Sequence, residues 1–168
     1  MPQGIASLRQ RRNFTKSTKI THTILPQRTV NPMCYFLYGA INDGLNPADY
    51  TKVMQDSLYH FRTGTAADVN AAVKKCDPEY RITFQHCDCD TPLGSGRTNT
   101  AKMKEFEELL LDLQTIRGIK HILVSKNWWE DVNTKTETVH IFDLDLPYFL
   151  ANMQDNCLYK IELYPRYY

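Results

Sequence analysis

After residue 33 the apolar positions fall into short segments with turn residues between them, interrupted by one long helical repeat. Residues 34–41 (Cys-Tyr-Phe-Leu-Tyr-Gly-Ala-Ile) are continuous and aromatic-rich, which predicts a buried strand turned by Asn42-Asp43-Gly44. Asn46-Pro47 reads as a helix start, with Tyr50, Val53, Met54, Leu58 and Phe61 on one face to about Arg62. Gly64 stops that helix, and Thr65 with Asp68 caps a second one over 66–75. Cys76-Asp77-Pro78 is a turn. Residues 80–87 alternate as a strand, with Ile82, Phe84 and His86 on one face and Arg81, Thr83, Gln85 and Cys87 on the other.

A polar turn over 88–99 leads into the helical repeat, 100–117. There Met103, Phe106, Leu110 and Leu113 point inward, widened by Leu109 and Ile116, and Gly118 supplies the left-handed end. Two strands follow, 119–127 and 136–143, joined by a short loop that predicts an antiparallel hairpin. Pro147 opens a short helix over 147–154, and 158–164 alternates as a closing strand, placed at an edge because Pro165 ends pairing. The order β-αα-β-α-β-β-α-β predicts an α+β fold. Its mixed sheet has about five strands, with helices packed mainly on one face.

Composition changes this picture at the N-terminus. Residues 1–32 hold six of the 20 basic residues and none of the 19 acidic ones, so the remainder has fourteen against 19, a net of −5. The chain thus divides into a basic, flexible leader (1–32) and one α+β domain (33–168) that is mildly acidic. That balance argues against nucleic acid as a partner, except through the leader. The leader reads as a solvated tail, as an organelle presequence, or as a segment ahead of a true start at Met33. No apolar run approaches the roughly 20 residues of a membrane helix. Five cysteines, an odd number, point to reduced thiols and a cytoplasmic setting rather than a disulfide framework.

The candidate chemistry gathers at 86–98. Cys87-Asp88-Cys89 places two thiols two residues apart, where a turned backbone lets both bind one soft metal ion, zinc above all. Cys34, Cys76 and His86 are candidates to complete the set, with His60 and Cys157 as further donors. If the strand stays extended through Cys89, His86 points away from both thiols. The same cysteines also fit a reversible disulfide or a thiol-dependent enzyme. Gly94, Ser95, Gly96, Arg97 and Thr98 form a loop before the 100–117 helix that suits an anion such as a phosphate or nucleotide. Arg97, Lys102 and Lys104 crowd the positive end of that helix, a conflict that a bound phosphate would relieve.

From Thr91 to Thr98 the chain resembles the phosphate loop of nucleoside-triphosphatases, Gly-x4-Gly-Lys-Ser/Thr, with Thr91 in place of the first Gly and Arg97 in place of the Lys. Met33-Cys34 is similar to the Met-Cys-Gly-Ile opening of class II glutamine amidotransferases, with Tyr35 in place of the Gly. That likeness implies Cys34 as an N-terminal nucleophile whose own α-amine serves as base. Trp128-Trp129 suits either a protein partner or the cover of a sheet edge. Glu130, Asp131, Asp143 and Asp145 are hard-cation ligands by type, and His121 and His140 would meet across the predicted hairpin. The reading from sequence is a small binding or adaptor domain with a cysteine metal site, with phosphate binding and thiol catalysis as alternatives.

Overall fold

A computed structural model describes residues 34–42, 48, 51, 54, 55 and 57–164. The chain clusters into residues 1–30 and a larger unit, 31–168, and every described residue belongs to the second. The basic leader, Met33 and the terminal 165–168 lie outside the described residues.

Five strands form one mixed sheet: β1 (Tyr35–Ile41), β2 (Arg62–Thr63), β3 (His121–Trp128), β4 (Lys135–His140) and β5 (Cys157–Glu162). Their order is β2-β1-β3-β5-β4. The β1–β3 and β3–β5 pairs are antiparallel, while β1–β2 and β4–β5 are parallel. Alternation along the central strands serves both faces. Leu37, Ile41, Ile122, Val124, Tyr159 and Ile161 enter one core cluster, whereas Phe36, Tyr38, Ala40, Leu123 and Leu158 enter another. Helices α2 (Ala101–Thr115) and α3 (Leu146–Ala151) cover the first face, and α1 (Ala66–Lys75) covers the second through Val69, Ala72 and Val73.

The helix boundaries follow from local chemistry. In α1 the Asp68 N–H donates to Thr65 Oγ1, as the Thr65 cap read from the sequence requires, and the Thr65 N–H donates back to Asp68 Oδ2 at 2.8 Å, which makes the cap reciprocal. The Thr65 N–H and hydroxyl, both donating to its carboxylate, hold the Asp68 carboxyl below its usual range. Cys76 closes α1 in the left-handed conformation at φ 53°. Thr100 caps α2 by accepting the Met103 N–H at 3.1 Å, and all six inward positions read for this helix are buried. Asp145 caps α3 by accepting the Tyr148 N–H.

Several expectations are corrected. The helix expected from Asn46 to about Arg62 lies partly outside the described residues. Ala48, Thr51 and Met54 are helical, but 57–61 are not, and Arg62–Thr63 is β2. The strand over 80–87 does not form. Pro78–Tyr80 is a 3-10 turn, Arg81 makes a single bridge to Tyr38, and Ile82 is buried while Phe84 is exposed. The alternation was real as composition, but the segment meets β1 only at Arg81 and Ile82, and the next N–H of that edge, Leu37, is taken by the Asp88 carboxylate instead of a ladder carbonyl. The expected β3–β4 hairpin is opened by β5, which inserts between its arms. Strand β5 is therefore central, not at an edge. Cys157, Leu158, Tyr159 and Ile161 are buried, whereas Lys135-Thr-Glu-Thr in β4 carries the charged composition of an edge strand. His121 and His140 consequently do not meet, since both take Glu162 as their register partner, one from each side.

Candidate metal centre

Odd-numbered residues of β1 turn their backbone groups away from β3, toward β2. That side is completed by three short pieces. Gly64 N–H donates to Ile41 O at 2.9 Å, Ile82 N–H donates to Leu37 O at 3.0 Å, and Asp88 N–H donates to Tyr35 O at 2.8 Å. Asp88 adds its carboxylate, which accepts the Leu37 N–H at 2.9 Å and the Thr83 hydroxyl at 2.5 Å. Its side chain is 1% exposed, and the Arg81 guanidinium stands 3.6 Å away, laid over the Phe36 ring. A carboxylate without these partners would not be buried. Asp88 thus docks the 81–91 connection to the strand as a substitute for a ladder.

The docking decides where the cysteines go. Residues two apart in extended chain share a side, so with Asp88 turned into the protein Cys87 and Cys89 flank it together. They meet Cys34, which enters β1. The three sulfurs all lie within 4.8 Å of one another, and among the described residues no other set of three Cys, His, Asp or Glu ligand atoms gathers this closely. Cys34 is buried, Cys87 half-buried and Cys89 exposed. Cys89 Sγ also accepts the Tyr35 N–H at 3.4 Å.

The thiols differ in acidity. Cys34 is pushed up to about 11, first by burial and then by thiol hydrogen bonds to Cys87 and Cys89 and by their charges. Cys87 is lowered, first by the Cys89 backbone N–H, then by the thiols of Cys89 and Cys34. Within the trio Cys87 is thus made more acidic and Cys34 less acidic than an ordinary thiol.

The surroundings hold this end of β1 stiffly. Tyr35 stacks on Trp128 at 3.9 Å between ring centres and donates its hydroxyl to Asp155 at 2.7 Å. The Lys126 ammonium lies 4.2 Å from the Tyr35 ring centre and 3.2 Å from Asp155. Trp129 packs on Phe36 and donates its N–H to Cys34 O at 2.9 Å. The tryptophan pair therefore covers the start of β1 beside the cysteines, although Trp129 remains 37% exposed.

Other candidates separate from the trio. Cys76 serves as the left-handed end of α1, Cys157 is buried in β5, and His86 is exposed on the connection. None of them joins the three sulfurs. The loop read as an anion cradle has its amides engaged elsewhere. Gly94 and Gly96 donate to the terminal carbonyls of α3, Leu150 O at 2.9 Å and Ala151 O at 2.7 Å, while Ser95 and Arg97 N–H groups close on Pro92 O and Ser95 Oγ. With the Gly94 and Gly96 amides the loop caps α3. The charge conflict at the start of α2 is met by Asp90, which pairs with Lys102 and has its own carboxyl lowered by that contact. The acidic residues 130, 131, 143 and 145 assemble no ion site of this kind.

Sequence reasoning missed Asp88 and Lys126. Asp88 stands between two cysteines, and nothing local in the sequence pairs it with Leu37, 51 residues away. Lys126 interrupts the buried run of β3, and a lysine 7% exposed there was itself a signal that fixed partners await it. Comparison with protein-family models, curated proteins and solved structures finds no match to this chain.

Proposed function

We propose that this domain is a small binding module in which Cys34, Cys87 and Cys89 hold one soft metal ion, zinc first. The observation that carries the reading is the convergence of three sulfurs, drawn from sites more than 50 residues apart in sequence, within 4.8 Å. Zinc–thiolate bonds of about 2.3 Å place tetrahedral sulfurs about 3.8 Å apart, so the trio needs to contract by at most about 1 Å. Thiolate donors select zinc or another soft ion over magnesium or calcium. The bound ion ties the entry of β1 to the 81–91 connection and offsets the negative charge that three thiolates bring together. Protein purified under reducing, chelator-free conditions should carry close to one equivalent of metal by elemental analysis. Cys87→Ser should lose most of it, and less than a tenth of an equivalent in the unmodified protein defeats the reading.

The lowered Cys87 thiol supports a second reading, a reactive nucleophile with Cys34 or Cys89 as its resolving partner. Iodoacetamide then labels Cys87 in metal-free protein faster than it labels a free peptide thiol at neutral pH. Equal or slower labelling removes this reading.

A further inference from the structure

Three protein sulfurs leave a tetrahedral ion one ligand short, and zinc sites with three protein ligands keep the fourth position for an outside group. Cys34 is buried and Cys87 half-buried, so an outside donor reaches the ion past Cys89. Cys89 lines a cleft of about 190 Å³ together with Thr91, Ser95, Arg97, Thr100 and Lys102. Asp90 also lines the cleft but is paired with Lys102. The cleft's formal charge is then one guanidinium in excess, apart from the cysteine. Arg97 and the hydroxyls of Thr91 and Thr100, which accept backbone N–H groups and keep a proton to donate, are groups that bind a carboxylate, whereas the Ser95 hydroxyl already donates to Pro92 O.

Resting on the metal reading above, we infer that the fourth ligand is a small thiol bearing a carboxylate, its sulfur on the ion and its carboxylate at Arg97. A soft ion already held by three thiolates accepts a fourth sulfur readily. On binding, the thiol releases its proton to solvent and its sulfur donates an electron pair to the ion. No electron is transferred and no covalent bond of the protein breaks. The class includes cysteine itself and cysteine-containing peptides with free carboxylates.

Cobalt(II) in place of zinc makes the site visible, because each thiolate adds charge-transfer absorption in the near ultraviolet. The full chain loaded with cobalt is titrated with 3-mercaptopropionate, with 2-mercaptoethanol and with propionate. The inference expects both thiols to intensify the band and propionate not to. It also expects 3-mercaptopropionate to bind about tenfold more tightly than 2-mercaptoethanol, equivalent to about 1.4 kcal/mol. Arg97 is exposed, so Arg97→Ala should leave the fold and the 2-mercaptoethanol titration unchanged while erasing that tenfold advantage. Equal affinity of the two thiols, an advantage that survives Arg97→Ala, or loss of the band as thiols strip the ion each overturns the inference and leaves the three-cysteine site standing. Absence of any charge-transfer band on adding cobalt alone overturns both.

Discussion

Replacing Asp88 by alanine tests whether one buried carboxylate builds both the β1 edge and the thiol cluster. The side chain is 1% exposed and accepts from the Leu37 N–H and the Thr83 hydroxyl, with Arg81 at 3.6 Å. Its removal leaves a buried backbone N–H without an acceptor, which costs about 1–3 kcal/mol. It also leaves Arg81, whose side chain is 17% exposed, facing an empty site, and removing one partner of a buried ion pair costs about 3–5 kcal/mol in total. These effects overlap because they concern one carboxylate, so the expected loss is about 3–5 kcal/mol, or about 6–20 °C in melting temperature for a chain of this size. Urea unfolding of reduced, metal-free protein measures it, with an unchanged slope confirming that both variants unfold from the same compact state. Asp88→Asn keeps one acceptor and loses the charge, so it should fall between alanine and the unmodified protein. Zinc affinity should drop about 10–100-fold in Asp88→Ala, as when the support of a ligand is removed elsewhere. A loss under about 1 kcal/mol would refute the energetic argument. A normal loss with unchanged zinc affinity would refute the claim that Asp88 brings the thiols together.

Four further outcomes follow from the same coordinates. Gly39→Ala puts a Cβ 2.4 Å from Leu123 O and 2.8 Å from both Ile82 and Phe61; since the nearest atom is backbone, the cost should reach about 3 kcal/mol or abolish soluble protein, read by thermal unfolding. Gly94→Ala meets Met153 O at 2.6 Å at φ +64°, so it should lower stability by about 1–3 kcal/mol and increase amide exchange across the 92–97 loop. Thr65→Ala removes a reciprocal cap and should cost about 1 kcal/mol by urea unfolding. Cys34 is raised from 9.0 to about 11 in the folded protein, so the stability it contributes is complete below pH 9.0 and disappears as pH rises toward about 11; metal-free Cys34→Ala should show a flatter profile across that window than the unmodified protein.

The helices were legible because their signals are local. Thr65 with Asp68, the repeat from Met103 to Ile116 ended by Gly118, and Pro147 at a first turn are each set by neighbouring residues, and none depends on what lies across the sheet. Strand neighbours were less legible, because pairing is decided at a distance. The six residues between Trp128 and Lys135 permit a hairpin equally well as a step across an intervening strand. The step is fixed by the Thr134 N–H donating to Asn156 O and the Asn156 N–H donating to Lys126 O, contacts that join segments more than 20 residues apart. Burial of β5 and the charged face of β4 did carry that information, since a strand rich in Lys, Glu and Thr belongs at an edge. The 80–87 segment misled for the complementary reason: its alternation was sound and it does reach the edge of β1, but a side-chain carboxylate, Asp88, replaces the ladder carbonyl at Leu37, so no continuous strand forms.

The same distinction explains the candidate site. Cys87 and Cys89 could be paired from sequence because their spacing is local, and Cys34 could be named only as one donor among several. What selects Cys34 over Cys76 is the meeting of a carboxylate with a backbone N–H 51 residues away, Asp88 with Leu37. Cys76 was excluded by a local fact, its left-handed role at the end of α1, at a position where the sequence offers no glycine. The amides of the 94–98 loop are a separate case. Gly94 and Gly96 do adopt positive φ, as a cradle needs, yet their amides had a nearer acceptor in the last turn of α3. Glycine therefore identified the backbone shape correctly, and the two amides satisfy carbonyls at the chain's own helix end.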